Sequence, residues 1–399
     1  MREIVSQVRT RGDRAVAEIT KRFGGSTREP RRIEPEEIAA ARDRAGPGLV
    51  AALKAAAERI RAYHERQLAE ERAAWWRSTD EHATVGEETR PLRRVGCYVP
   101  GGRAAYPSTV LMTTIPARVA GVEEVCVCVP GMPDGSGVHP ATLAALGVVG
   151  IDEGYECGGA QAIAALAYGT ETIPRVDLIC GPGSIWVALA KHEVALDVGV
   201  DSFAGPTEVC VVADDSAPAA FVAADLVAQA EHDPLATALL VTPSERLIGD
   251  VQEALGKELA GAPRREDLEA SLRGQGRAVL VDDLKQALAV ADAFAPEHLE
   301  LIVSDADQHL ADVRNAGAVF VGAYSPVALG DYLAGTNHVL PTFGSARFAS
   351  PLRVSNFIKS TAVVRFDRDG VEQVAANLVA IASAEGLAAH ARAIEVRLS

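Results

Sequence analysis

From about residue 94 to residue 207 the chain repeats one pattern: a short run rich in β-branched residues, a glycine-rich turn, then a helical stretch. "RRVGCYVPGG", "VEEVCVCVPG", "GYECGGAQAIAALAYG" and "VDLICGPGSIWVALAKH" are its clearest instances. Short apolar strands that alternate with helices predict a parallel sheet covered on both faces. From about residue 208 the pattern returns with different chemistry. "TEVCVVADD" and "ATALLVT" read as strands on either side of a helix, "SAPAAFVAADLVAQAEH", with Ser216 near its N-cap and Pro218 in its first turn. Residues 1 to about 90 read as helical, because Val50, Leu53, Ala57 and Ile60 keep a helical period. His64 continues that stripe and reads as a packed or capping histidine. There is no fixed-period repeat.

The chain has 399 residues, enough for two or three domains, and its 48% hydrophobic content is that of a folded enzyme. A net charge of −15, with the acidic residues dispersed, leaves no basic footprint for nucleic acid or an anionic membrane. The first residues, "MREIVSQVRTRGDRAVAEI", are charged throughout, and no stretch approaches the ~18 consecutive apolar residues of a membrane span. A cytoplasmic protein with a small-molecule partner is expected. Six cysteines occur singly or alternate along a strand in "VCVCVP", with no C-x-x-C, so they are expected to be reduced and structural.

Glycine-rich turns at the carboxyl ends of parallel strands let backbone amides approach a pyrophosphate. G-x-G-x-x-G is absent, however, and "GG" at 158–159 and "GPG" at 181–183 suit tight turns as well as a cofactor. The histidines beyond the first zone are more telling, because most sit in polar islands: His232 in "QAEHDP", His298 in "FAPEHLELIV", His338 in "LGDYLAGTNHVLPT" and His390 in "EGLAAH". Gln229 and His232 stand three apart at a helix exit, which puts an amide and an imidazole on one face. An amide oxygen, two imidazoles and a carboxylate form a mixed N/O set suited to Zn²⁺, Mn²⁺ or Co²⁺, and such a set leaves coordination positions for a substrate. Read singly, each island is also compatible with a helix cap, a solvated pair or a turn.

"YVPGGRAAYPSTVLMTTIPARVAGV", "GGAQAIAALAYGTETIPRVD", "AGPTEVCVVADD", "QAEHDP", "APEHLEL", "GDYLAGTNHVLPT" and "EGLAAH", in this order from about residue 90 to 390, resemble the L-histidinol dehydrogenase family. The resemblance implies an α/β enzyme with two Rossmann-like domains built on parallel sheets, the first interrupted by the second, plus a helical C-terminal tail. The expected units are 1–94 with 208–345 for the first domain, 95–207 for the second on the NAD side, and 346–399 for a tail that reaches the partner subunit. The implied activity is oxidation of L-histidinol to L-histidine through L-histidinal with NAD and one Zn²⁺ per subunit, at the end of histidine biosynthesis, in a homodimer with shared active sites.

Residue by residue, the resemblance assigns zinc to Gln229, His232, Asp331 and His390, which also meet the substrate, and acid/base work to Glu297 and to His298, which meets the substrate too. Thr207, His338 and Glu385 fall where the family contacts substrate, and Tyr98, Gln161 and Ser184 where it contacts NAD. Ser184 is a departure, since the family pattern reads G-P-G-N where this chain has "GPGS", and a hydroxyl has less reach than an amide. "VCVCVPG" replaces a double proline, and Leu178 stands where lysine is common. Family members also carry further N-terminal residues that form an arm at the dimer contact; here the match begins at "REIVSQVRTRGD", so a late start or a trimmed dimer contact is expected. The alternatives are a paralogue acting on another polar alcohol such as a sulfonated diol, a zinc hydrolase in which Glu297 activates a metal-bound water, and a non-catalytic metal- or nucleotide-binding protein.

Overall fold

The computed structural model describes residues 1–23, 30–74, 77–101, 105–203 and 205–399. Gly102, in the first of the glycine-rich turns, lies outside the described residues. The strands are β1 (Arg31–Ile33), β2 (Arg77–Thr79), β3 (Ala83–Pro91), β4 (Arg94–Tyr98), β5 (Glu124–Val129), β6 (Gly154–Glu156), β7 (Leu178–Cys180), β8 (Gly199–Val200), β9 (Glu208–Ala213), β10 (Thr237–Thr242), β11 (Arg277–Leu280), β12 (His298–Ile302), β13 (Ala318–Val321) and β14 (Ile358–Phe366). They form a six-stranded sheet ordered β1-β6-β5-β4-β7-β8, a five-stranded sheet ordered β11-β10-β9-β12-β13, and a three-stranded sheet ordered β14-β3-β2. The five-stranded sheet is parallel throughout, and the six-stranded sheet is parallel except where β1 meets β6. The fold is therefore the mixed α/β class with parallel sheets that the repeated pattern predicts, and it ends in two helices, Arg368–Ala384 and Ala388–Leu398.

Alternation along the strands explains the apolar runs. In β5, Val125, Val127 and Val129 fill one core while Cys126 and Cys128 fill the core on the opposite face. In β9, Val209, Val211 and Ala213 face one layer while Cys210 and Val212 face the other. A strand with helices on both sides has no polar face, which is why these segments read as continuous hydrophobic runs. All six cysteines are free and buried, as expected, and burial pushes the Cys157 thiol up to about 12. His64 is fully buried, with Nδ1 2.7 Å from the Ile60 carbonyl, in keeping with its packed reading.

The first ninety residues depart from the helical expectation. β1, β2 and β3 lie there, and β3 pairs antiparallel with β14 along its whole length, from Ala83 opposite Phe366 to Pro91 opposite Ile358. Most residues of β3 and β14 are exposed on both faces, so neither carries the alternation that would reveal it. The N-terminal helices also differ in placement from the expected grouping with residues 208–345. Helix Arg2–Arg22 packs on Gly159–Tyr168, Pro35–Arg44 on Pro140–Val149, and Pro47–Ala74 on Pro107–Ala120, all over the six-stranded sheet. Ile38, Leu53 and Ile60 share a core with Val95 and Leu111. The helix Ala219–Ala230 has Pro218 as its N-cap, two residues after Ser216, whose hydroxyl donates to Asp214.

One buried carboxyl joins the elements of the second sheet. Glu300, on β12, is 1% exposed and accepts the Val327 amide at 3.0 Å, at the start of helix Val327–Tyr332. Asp225, half-buried in helix Ala219–Ala230, is near enough for its charge to act on Glu300. Neighbouring carboxyls shielded from water favour the neutral form, since both cannot carry charge without a counterion. Burial first, then the charge of Asp225, pushes Glu300 up to about 8, and burial raises Asp225 too.

A raised carboxyl pKa in the folded state means that folding takes up a proton, so the stability it brings is full below the ordinary carboxylate range and is lost as pH climbs through about 8. Glu300→Gln keeps a neutral hydrogen-bonding group of the same size. Between pH 5 and pH 8.5 the wild type is expected to lose roughly 1–3 kcal/mol of stability to urea relative to Glu300→Gln, and parallel stability curves for the two proteins would show that Glu300 is not neutral in the folded state.

Candidate active site

Glu297 and His298, the pair expected to do acid/base work, sit at the amino end of β12. Helix Leu284–Phe294 stops at Ala295, which is fully buried with φ 51° and so pays for a left-handed backbone without being glycine. That turn, followed by Pro296, brings Glu297 inward just ahead of the strand. Gly317 then passes so close that a Cβ there would lie 2.6 Å from the Glu297 carbonyl oxygen. The Glu297 carboxylate accepts the Thr207 hydroxyl and, at 3.0 Å, the Glu208 amide. Burial raises its pKa, while the neighbouring His298, Thr207 and the Glu208 amide pull in the opposite direction.

His298 opens β12 and is 4% exposed. Its Nδ1 lies 2.9 Å from the Glu208 carbonyl oxygen and 3.6 Å from Glu297 Oε2. A carbonyl only accepts, so Nδ1 donates and carries the proton, and Nε2 is the basic nitrogen of the neutral ring. Glu208 was not singled out from the sequence, where it reads as one residue of an apolar strand. Its side chain accepts the Phe343 amide at 3.2 Å, and burial, joined by the charge of Glu297, pushes it up to about 7.

Gln229 lies in the last turn of helix Ala219–Ala230, and His232 follows beyond its C-cap, Glu231, with the His232 amide donating to the Gln229 carbonyl at 3.3 Å. Gln229 is 2% exposed; its amide nitrogen donates to the Thr207 hydroxyl at 2.8 Å, and its buried Oε1 has no partner. The Thr207 proton goes to Glu297, so toward Gln229 the hydroxyl can only accept, which turns the amide oxygen away as a free ligand atom. His232 Nε2 is 3.9 Å from Asp331 Oδ2. His338 Nδ1 donates to the Asp331 backbone carbonyl at 3.1 Å, and its Nε2 accepts the Thr109 hydroxyl at 3.1 Å. Burial lowers the pKa of His338 against the pull of Asp331, so the ring is neutral with both nitrogens engaged.

An unspent buried amide oxygen, an imidazole and a carboxylate fit a divalent zinc-like ion. Glu385 and His390 are exposed on the C-terminal tail, and among the described residues no three His, Cys, Asp or Glu side chains gather at metal-binding range. Thus Gln229, His232, Asp331, Thr207, Glu297, His298 and His338 are brought into one neighbourhood, and Glu385 and His390 are not.

Tyr98, Gln161 and Ser184 belong to the carboxyl ends of the six-stranded sheet. Gln161 and Ser184 line a cavity of about 610 Å³ with Gly158, Gly159 and Trp186. The Tyr98 hydroxyl accepts the Gly159 amide at 3.0 Å behind that wall, and burial pushes its pKa up to about 12. Gln161 Nε2 donates to the Thr20 hydroxyl at 3.0 Å. Ser184 is the N-cap of helix Ile185–Val194 but makes no capping bond with its side chain. The preceding turn is pinned by a buried ion pair: Lys191 Nζ donates to the Gly181 carbonyl at 2.6 Å and to Asp201. Gly181 has φ 111°, and a Cβ there would lie 2.1 Å from the Tyr98 carbonyl oxygen, so the turn admits no side chain.

This geometry can be set beside known proteins. The family model described as histidinol dehydrogenase matches residues 1–398. The histidinol dehydrogenase of Parasynechococcus marenigrum is 47% identical over 398 residues, covering 99% of this chain and 90% of that relative. That of Moorella thermoacetica is 48% identical over 399 residues, covering 100% of this chain and 93% of the relative. The crystal structure of histidinol dehydrogenase from Elizabethkingia anophelis superposes with a TM-score of 0.92 at 34% identity, covering 99% of this chain and 90% of that one. The chain therefore belongs to the histidinol dehydrogenase family of oxidoreductases, whose reaction is the oxidation of histidinol in histidine biosynthesis.

Proposed function

We propose that the protein carries out the four-electron oxidation of L-histidinol to L-histidine through L-histidinal, with NAD⁺ as oxidant and one Zn²⁺ per subunit, as a cytoplasmic homodimer. The observation that carries the metal reading is the buried, unpartnered Oε1 of Gln229 in the neighbourhood of His232 and Asp331. Those three residues and the partner subunit's His390 would hold the ion. When bound, zinc supplies Lewis acidity and an anchor for the imidazole and amine of the substrate. NAD⁺ in the cavity beside Gln161 and Ser184 supplies the hydride acceptor. An oxidoreductase of this family has no use for the hydrolase alternative.

The protein's own residues divide the remaining work. His298 Nε2, the nitrogen left basic by the bond from Nδ1 to the Glu208 carbonyl, takes the alcohol proton as the first hydride departs. Glu297 takes a proton from the water that hydrates the aldehyde, and its raised pKa brings a carboxylate closer to the strength that such a base needs at neutral pH. Thr207 and the Glu208 amide hold that carboxylate in place. His338 stays neutral and stiffens the loop that follows Asp331, while Glu385 would add charge recognition of the substrate from the tail.

With L-histidinol, absorbance at the NADH band should report about two NADH per alcohol consumed. Glu297→Gln is expected to slow oxidation of supplied L-histidinal far more than the first hydride transfer, and His298→Asn to slow the alcohol step, each by ~10²–10⁴-fold. Equal losses in both steps for both variants would sink the division of roles.

Chelation supplies a second check. Because the sheets have their own apolar cores, prolonged dialysis against a chelator should abolish turnover while far-UV circular dichroism remains close to that of the zinc-loaded protein. Full turnover by protein verified to be metal-free would rule the site out.

The tail assignment has its own test. Mixing His390→Ala with His298→Ala after reversible dissociation should restore activity if tails cross between subunits, because a mixed dimer then assembles one site with both lesions and one with neither. Failure to recover activity in demonstrated mixed dimers would place His390 in its own subunit's site.

A further inference from the structure

The cofactor cavity has one acidic wall. Glu156 ends β6 and lines the cavity together with Pro130 and Gly131, yet it is 95% buried, being 5% exposed. Its Oε2 accepts Arg31 Nε at 2.8 Å. The other two nitrogens of Arg31 are spent on Glu37, at 2.9 and 3.1 Å. Glu156 Oε1 has no hydrogen-bond partner. It lies over Gly131, where a Cβ would stand 2.3 Å from it, so the space beside this oxygen depends on the absence of a side chain at residue 131. The Arg31 guanidinium is thus divided between two carboxylates.

A buried carboxylate oxygen with unused lone pairs seeks an O–H or N–H donor, and a ribose diol is such a donor, whereas a phosphate in the same place brings only acceptors and like charge. We infer that Glu156 accepts a ribose hydroxyl of the cofactor and confines this cavity to dinucleotides without a 2′-phosphate. The inference rests on the reading of the cavity as the NAD⁺ site. Arg31 has a positioning role: its single bond to Oε2 fixes the carboxylate and leaves Oε1 unspent, and its engagement with Glu37 keeps it from serving as a phosphate clamp.

Calorimetric titration of the full chain with NAD⁺ and with NADP⁺ tests this. The wild type should prefer NAD⁺. Glu156→Gln removes the charge while keeping the shape, and should weaken NAD⁺ by about 10-fold and strengthen NADP⁺ by a similar factor, collapsing the preference by roughly 100-fold. Gly131→Ala is the second variant: it pushes Oε1 aside without removing its charge, so NAD⁺ should weaken by about 10-fold while NADP⁺ stays excluded. Thermal melting checks that both variants are folded. If the wild type binds NAD⁺ but the preference is unchanged in Glu156→Gln and NAD⁺ affinity is unchanged in Gly131→Ala, the role of Glu156 is overturned and the cofactor reading stands. If the wild type binds neither dinucleotide, the cofactor reading falls and this inference with it.

Discussion

The site depends on a hydroxyl with a single proton to give. Thr207 donates to Glu297 and accepts from Gln229, and this direction is forced because a carboxylate offers no proton in return. It decides two things at once. The Glu297 carboxylate is held where burial can raise its pKa without leaving it unpaired, and the Gln229 amide is turned so that its oxygen stays unspent in the protein interior. Burying an acceptor without a partner is costly, so this oxygen is a stored demand for a ligand. A chain folded without such a ligand in view has no reason to bear that cost.

A second constraint is electrostatic. Glu297, Glu208 and Asp331 act on one another at close quarters, and the carboxyl pair Asp225–Glu300 braces the elements behind them. The bracing follows element geometry. Asp225 precedes Gln229 by one helical turn, Glu300 is on the same face of β12 as His298, and Val327 precedes Asp331 by one turn. The same contact that ties helix, strand and helix together therefore sets the relative positions of amide, imidazole and carboxylate. Several acids gathered in a region with few buried cations favour a divalent ion and an amine-bearing substrate, which is the electrostatic side of the function proposed above.

What was legible in the sequence follows from the same physics. β4 to β7, β9 and β10 were readable because they are buried on both faces, so that their apolar runs stand out between turns. β3 and β14 were not, because a ribbon exposed on both faces leaves no apolar alternation. The set Gln229, His232, Asp331 was legible as donor chemistry, but the side of the sheet was not. Glycine-rich turns direct attention to the carboxyl ends of strands, where Gln161 and Ser184 do line the cavity. Glu297 and His298 stand instead at the amino end of β12, and Glu208 at the amino end of β9. Glu208 was invisible because a strand whose other residues are all core gives no sign that its first member carries a charge. Asp225 and Glu300 were hidden in the same way, within a helix and a strand that read as apolar.

The tail sets the last condition. β14 is laid along β3 over nine matched residues, so the chain that bears Glu385 and His390 leaves the core on a fixed antiparallel ladder. The two helices that follow pack on one another, and Glu385 and His390 lie exposed at and just beyond the turn between them. Gln229, His232 and Asp331 stand together without His390 in one protomer. In the dimer proposed above, the tail of a second copy would supply that imidazole with the β3–β14 ladder, and its backbone hydrogen bonds, kept intact.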